Sequence, residues 1–276
     1  MFKIVTLILL FLTIFNLSNA RSTEIQKFTF GVVPQFPPDF IEQAWGPVLR
    51  EISLRSGYLF ELKIKKTIPE FEKGFLSGEF DFAFMNPYHM VVARRTQKYE
   101  PIIRDATPLT GILVVKKESS ISKVEDLNGA TIAFPAPNAF GASLYMRALL
   151  TEKFKIKFTP KYVKTHDNAY RHVVLGLAEA GGGVNQTFQR QPDEIRNQLR
   201  ILYETPPSAP HPIAVHPRVP QKVREIFVKL FFEILREKQF EENFKNMQLP
   251  QPLLADYKRD YKPLEKLKLE RYWVEE

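Results

Sequence analysis

EDLNGATIAFPAPNAFGASLYMRALL, residues 125–150, is the stretch from which the fold can be read. Asp126-Leu127-Asn128-Gly129 forms a turn, and the apolar, β-branched run 131–134 after it predicts a buried strand. A loop of Pro, Asn and Gly over 135–141 then leads into a helix predicted from about Ala142. A strand that feeds a helix through such a loop leaves backbone N–H groups unpaired at the helix start. Together with the helix dipole they make a site for an anion. On spacing alone the segment is equally an ordinary strand–loop–helix connection, and the rest of the chain decides between the two.

On both sides of this stretch, strands and helices alternate. Strands are expected at 27–33, 59–64 and 80–85, with helices at 39–56, 68–76 and 88–96 between and after them. Ile41, Ala44, Trp45, Val48, Leu49 and Ile52 fall at helical spacing, with Asp39 as a helix cap and Gly57 as the stop. The run LTGILVVK at 109–116 leads into a second alternation: strand 130–134, helix 142–153, strand 158–163, helix 167–179, helix 187–198 and strand 199–204. A proline-rich loop at 205–212 precedes a return strand at 213–216 and a long helix at 219–238. Such βαβ alternation predicts an α/β fold of two lobes, each a mostly parallel sheet flanked by helices, joined by two hinge strands. The expected division is 21–112 and 205–250 for the first lobe, 113–204 for the second and a C-terminal wrap at 251–276. A cleft between hinged lobes is a common place for a small ligand.

The first twenty residues read as an export signal: Lys3, an apolar run at 4–15, and Ser18-Asn19-Ala20 as a cleavage site. That run is too short to span a membrane comfortably, so a cleaved, periplasmic protein is expected. With no cysteine in the chain there is no disulfide, no thiolate metal site and no lipid-modified cysteine anchor. At 44% hydrophobic and 25% charged, the composition is that of an ordinary globular protein. The formal net charge of +8 comes from Lys and Arg spread along the chain, which favours anionic ligands over a nucleic-acid surface.

Several further segments carry a resemblance. These are Trp45-Gly46-Pro47-Val48-Leu49, Gly78-Glu79-Phe80-Asp81-Phe82-Ala83, Asp126-Leu127-Asn128-Gly129 with its strand, His166-Asp167, Gly176-Leu177-Ala178-Glu179-Ala180 and Pro212-Ile213. In this order and spacing, over about 27–250, the chain resembles the phosphonate-, phosphite- and phosphate-binding proteins of ABC transporters, which have the type II periplasmic binding protein fold. The resemblance implies a protein that closes over a small anionic ligand and presents it to ABC permease membrane subunits. It implies no enzyme activity and no cofactor, and a monomer is expected.

The family binds ligand oxygens with small hydroxyl residues before a glycine at a helix start. The matching positions here are Asn138, Ala139 and Phe140, before Gly141, so the hydroxyls are absent. The amides of Phe140, Gly141 and Ala142 remain as donors. Asn86 and Tyr88 lie in the loop after the third strand, where the family places ligand contacts, and both can donate to an oxyanion. Phe71 and Glu179 stand at other such positions. His166 is either a ligand contact or a cap or surface residue, and Asp167 reads as a helix N-cap. Gly181-Gly182-Gly183 reads most simply as a helix end and tight turn, with close approach to a ligand as the sharper alternative, which would point Asn185 or Thr187 into the cleft.

The five histidines, His89, His166, His172, His211 and His216, show no metal-binding spacing, so no metal is expected. His211 and His216 flank the proline-rich turn and are expected to be exposed. No nucleophile elbow and no acid–base pair stands out. Two other outputs fit the same fold: a sensory input to a membrane histidine kinase, or an enzyme using the same cleft.

Overall fold

The computed structural model describes residues 25–275. The expected export signal and its cleavage site lie outside them. Along the chain the first unit runs β1 (Lys27–Val32), α1 (Pro38–Ser56), β2 (Leu59–Ile64), α2 (Ile68–Leu76), β3 (Phe82–Phe84), α3 (Pro87–Gln97) and β4 (Glu100–Asp105). The chain then crosses into β5 (Gly111–Lys116), β6 (Thr131–Phe134), α4 (Tyr145–Glu152), β7 (Thr159–Tyr162), α5 (His166–Val174), β8 (Ala180–Val184), α6 (Asn185–Gln189), α7 (Asp193–Arg196) and β9 (Leu199–Glu204). It returns as β10 (Pro212–Val215), α8 (Gln221–Ile234), α9 (Glu241–Asn246) and β11 (Pro252–Leu254).

Two sheets result, ordered β11-β4-β10-β3-β1-β2 and β7-β6-β8-β5-β9. The parallel pairs, β1 with β2 and β3, and β6 with β7 and β8, are the ones joined through helices. The antiparallel pairs come from the crossing strands and from β11 at the edge. Where the chain passes between the sheets, Leu109 and Ser208 exchange backbone hydrogen bonds of 2.9 and 3.0 Å, and the Thr205 amide donates to the Gly111 carbonyl at 2.8 Å. The hinge is therefore a paired ribbon of two segments.

Aromatic packing fills the first unit. Phe227 of α8 lies 4.7 Å from Phe82 and 5.2 Å from Phe60, and Trp45 lies 4.9 Å from Phe84. Burying each such ring contributes roughly 2–3 kcal/mol. Pro47 inside α1 has no N–H for the Gln43 carbonyl. Asn243 of α9 supplies the missing donor at 2.9 Å, so α9 docks where proline opened the ladder. The second sheet buries Leu113, Val115, Ile132 and Phe134 on one face, and Ile112 and Val114 against Tyr170 and Val173 of α5 on the other.

Several local expectations are corrected. Helix α1 starts at Pro38 without a side-chain cap, and Asp39 sits in its first turn, while Gly57 ends it in the left-handed region at φ +74°. The cap of α5 is Thr165, whose hydroxyl accepts from the Asn168 amide at 3.2 Å. Asp167 instead accepts from Gln191 Nε2 at 2.8 Å. The single helix expected at 187–198 is two short ones, because Pro192 restricts the residue before it and starts a new helix after it.

Gly181-Gly182-Gly183 is the middle of the buried strand β8, between β6 and β5, and not a turn. The reason is crowding. A Cβ on Gly182 would lie 2.0 Å from the Ala142 carbonyl oxygen, and one on Gly183 would lie 2.0 Å from the Tyr170 hydroxyl. The Gly182→Ala substitution must therefore push the backbone at Ala142 away from the sheet. It is expected to cost about 3 kcal/mol or more, read as a lower urea midpoint with unchanged slope.

Candidate functional site

The site begins where β6 ends. The loop after Phe134 passes Asn138 and Ala139 and enters a wide π-type turn, Phe140–Leu144, that continues into α4. The Ala139 carbonyl accepts from the amides of Ser143 and Leu144, at 2.8 and 3.0 Å. Among the described residues the amides of Phe140, Gly141 and Ala142 donate no hydrogen bond, as expected of the first N–H groups of a helix. Gly141 is glycine for packing: a Cβ there would meet Leu109 at 2.9 Å and the Gly111 Cα at 3.1 Å.

The hollow beside these amides lies between the two units. Val33, Gln35, Asn86, Leu109, His166 and His211 line it together with the turn, and no acidic, lysine or arginine side chain does. Its free space is about 10 Å³, room for about one water molecule. Phe140 accounts for the tightness, because its buried ring lies parallel to Tyr88 at 6.3 Å and to Tyr145 at 5.8 Å. Burial holds His166 down to about 4 and His211 down to about 3, the latter with help from the nearby His89 and His166. Both rings are therefore neutral at pH 7, each with one donor and one acceptor nitrogen. His211 is 4% exposed and stacked on Phe84, so the expectation that it is exposed is corrected, and His216 is partly covered against Tyr99.

The residues singled out from the sequence are distributed as follows. Asn86 caps α3 by accepting from the His89 amide at 2.7 Å, and its Nδ2 donates to the Asn138 carbonyl at 3.1 Å, so it joins the two units beside the hollow. Tyr88 is fully buried and its hydroxyl accepts from the Leu269 amide at 3.0 Å. His166 opens α5 with Nδ1 3.2 Å from the Thr187 hydroxyl, which also bonds Tyr170 at 2.8 Å. Asn185 accepts from the Thr110 amide at 3.2 Å and donates to the Pro108 carbonyl at 3.3 Å, which fastens it to the hinge ribbon.

Asn138 is committed on three sides. Its Nδ2 donates to Glu72 Oε2 at 3.0 Å and to the Val274 carbonyl at 2.7 Å, and its Oδ1 accepts from the Val274 amide at 3.0 Å. Glu72 in turn holds His89 Nε2 at 2.9 Å, in a fully buried pair under Phe71 and Phe75. Val274 belongs to a C-terminal strap that grips both units. On the first unit, Glu270 pairs with Arg95, and Trp273 sits edge-on to His89. On the second, Arg147 donates to the Tyr272 carbonyl at 2.7 Å, and Arg271 lies 3.3 Å from Glu152. Gln35, Glu72, His89 and His211 are not among the site residues expected from the sequence, whereas the strap is the C-terminal wrap expected at 251–276, which reaches the site through Val274. Glu72 had left a signal: with Ile68, Phe71 and Phe75 it completes the apolar face of α2, where a carboxylate needs a buried partner.

No group of three or more His, Asp or Glu that could hold a metal occurs among the described residues. A family model described as the periplasmic substrate-binding protein of ABC phosphonate transporters matches residues 30–259. The phosphate-import protein PhnD of Mycolicibacterium smegmatis is 21% identical over 239 residues, which cover 79% of this chain and 74% of that one. The binding-protein component of an ABC phosphonate transporter from Pseudomonas aeruginosa superposes with a TM-score of 0.79 at 15% identity, covering 90% of this chain and 88% of the other. PhnD1 of Prochlorococcus marinus, solved with methylphosphonate, gives 0.78 at 15% identity, covering 90% of this chain and 99% of that one. With two α/β units meeting at the hollow and the match running through both, this chain belongs to the periplasmic substrate-binding proteins of ABC phosphonate transporters.

Proposed function

We propose that this protein is exported to the periplasm, captures a small anionic ligand, phosphonate-like or another oxyanion, between its lobes, and delivers it to the membrane subunits of an ABC transporter. The observation that carries the anion is the turn at Phe140: three unpaired amides beside a hollow that no acidic side chain lines. Members of this family are solute-binding transport components and not enzymes. The work done is binding and closure. Each lobe supplies part of the contacts, so a ligand binds the closed arrangement more tightly than the open one and shifts the population toward it. Asn86 from one lobe and the 140–142 amides from the other are the donors on hand, with neutral His166 able to give a further N–H.

Thermal unfolding against methylphosphonate, phosphite, phosphate, sulfate and small carboxylates tests the reading. An anion present at about 100 times its Kd adds about 2.7 kcal/mol, a rise in Tm of roughly 5–10 °C for a protein of this size. A panel in which no anion raises Tm overturns it.

A further inference from the structure

A second, much larger space opens between the lobes next to the hollow, with Ile68 lining both. It measures about 580 Å³, within the roughly 300–1,000 Å³ typical of sites for small organic molecules. We propose that this groove receives the body of the ligand, an organic oxyanion whose planar apolar arm lies there, and that Lys66, Lys73 and Lys164 add to the attraction that the Phe140 turn exerts on its charge. The inference rests on the reading that the lobes close on an anion at that turn, and it adds the class of anion and the place where its body lies.

Three observations carry it. The hollow at the Phe140 turn has room for about one water molecule, so an organic group cannot enter it in this arrangement. The groove is positive from both sides: Lys66 and Lys73 come from the first lobe, Lys164 comes from the second, and among the described residues none of the three forms an ion pair. One carboxylate, Glu70, also lines it, and that side chain accepts from the Lys66 amide at 3.1 Å as part of the α2 cap, leaving a surplus of two positive charges. Thr67 and Thr165, the caps of the nine-residue helices α2 and α5, face the same space, so two positive helix ends add to the ammonium groups.

The walls between these charges are apolar and stiff. Six prolines line the groove, with Phe36 on one lobe and Tyr162 on the other. Proline walls lose little conformational freedom on binding. An inorganic oxyanion would leave this apolar lining wet, whereas an aryl group would cover it and gain roughly 25 cal/mol per Å² of apolar surface removed from water.

Titration calorimetry with phenylphosphonate and methylphosphonate tests the inference on the full exported protein. Phenylphosphonate is expected to bind at least tenfold more tightly. The double variant Lys66→Glu/Lys164→Glu, at two exposed positions, is expected to weaken it at least tenfold. Lys222→Glu, on α8 and outside the groove, should leave the affinity unchanged. Raising NaCl to about 0.5 M should weaken binding of the unmodified protein, because charges at this exposed mouth are screened. If methylphosphonate binds more tightly than phenylphosphonate, or if the double variant binds phenylphosphonate as well as the parent does, the groove assignment falls while anion capture stands. If neither phosphonate binds and no anion of the thermal panel raises Tm, both fall together.

Discussion

Replacing Asn138 with aspartate is expected to destabilise the protein by about 3–5 kcal/mol, with or without ligand, through loss of buried polar partners. The Asn138 amide nitrogen donates to Glu72 Oε2 at 3.0 Å and to the Val274 carbonyl at 2.7 Å. Aspartate removes both donors and brings a second carboxylate against Glu72 at a site only 2% exposed. Two buried carboxylates in contact cannot share that place without a counter-charge. Only the bond from the Val274 amide to Oδ1 survives. Urea unfolding of Asn138→Asp beside the parent measures the loss. A variant with parental stability that no longer binds anions would show instead that the side chain serves the ligand and not the strap.

Stability should also fall by about 4 kcal/mol between pH 7.5 and pH 5, from two histidines. Burial holds His166 at about 4 and His211 at about 3, against about 6.5 for an unfolded histidine. Between those values and 6.5 the unfolded chain binds more protons than the folded one, so stability rises with pH in that window and is lost as pH falls through it. By pH 5 the unfolded rings are almost fully charged and the buried ones still neutral, which costs about 2 kcal/mol for each. Urea midpoints measured at half-unit intervals should trace this slope, and His211→Gln should remove about half of it. A flat profile from 7.5 to 5.5 would mean that both rings take up protons inside the fold.

The fold was legible because its signals are local. The turn at 126–129, the strand Thr131–Phe134 and the helix after the loop depend on residues within a few positions of one another. The period of apolar residues in Ile41–Ile52 shows the buried face of α1 in the same way. The triple glycine misled for the same reason. A short window reads glycines as a turn, whereas the Ala142 carbonyl and the Tyr170 ring, which require them, approach β8 from elsewhere in the chain.

The candidate site was legible in position and not in detail. The unpaired amides at Phe140 and the nearness of Asn86 and His166 follow from a helix start and a loop that the alternation already places at the cleft. What each side chain does there could not be read. Asn138 meets Glu72 across 66 residues and Val274 across 136, and no periodicity encodes such a pairing. His211 looked exposed beside its prolines until the ring of Phe84 covered it.

The α/β alternation, the two crossings between lobes and a helix start with unpaired first amides can be read along the chain, because backbone geometry and apolar period are short-range properties. The tertiary structure decided that Phe140 fills the hollow, that the C-terminal strap consumes Asn138, and that three lysines from two lobes surround one groove. Those are properties of space left over when distant segments pack, and space is not written along a chain.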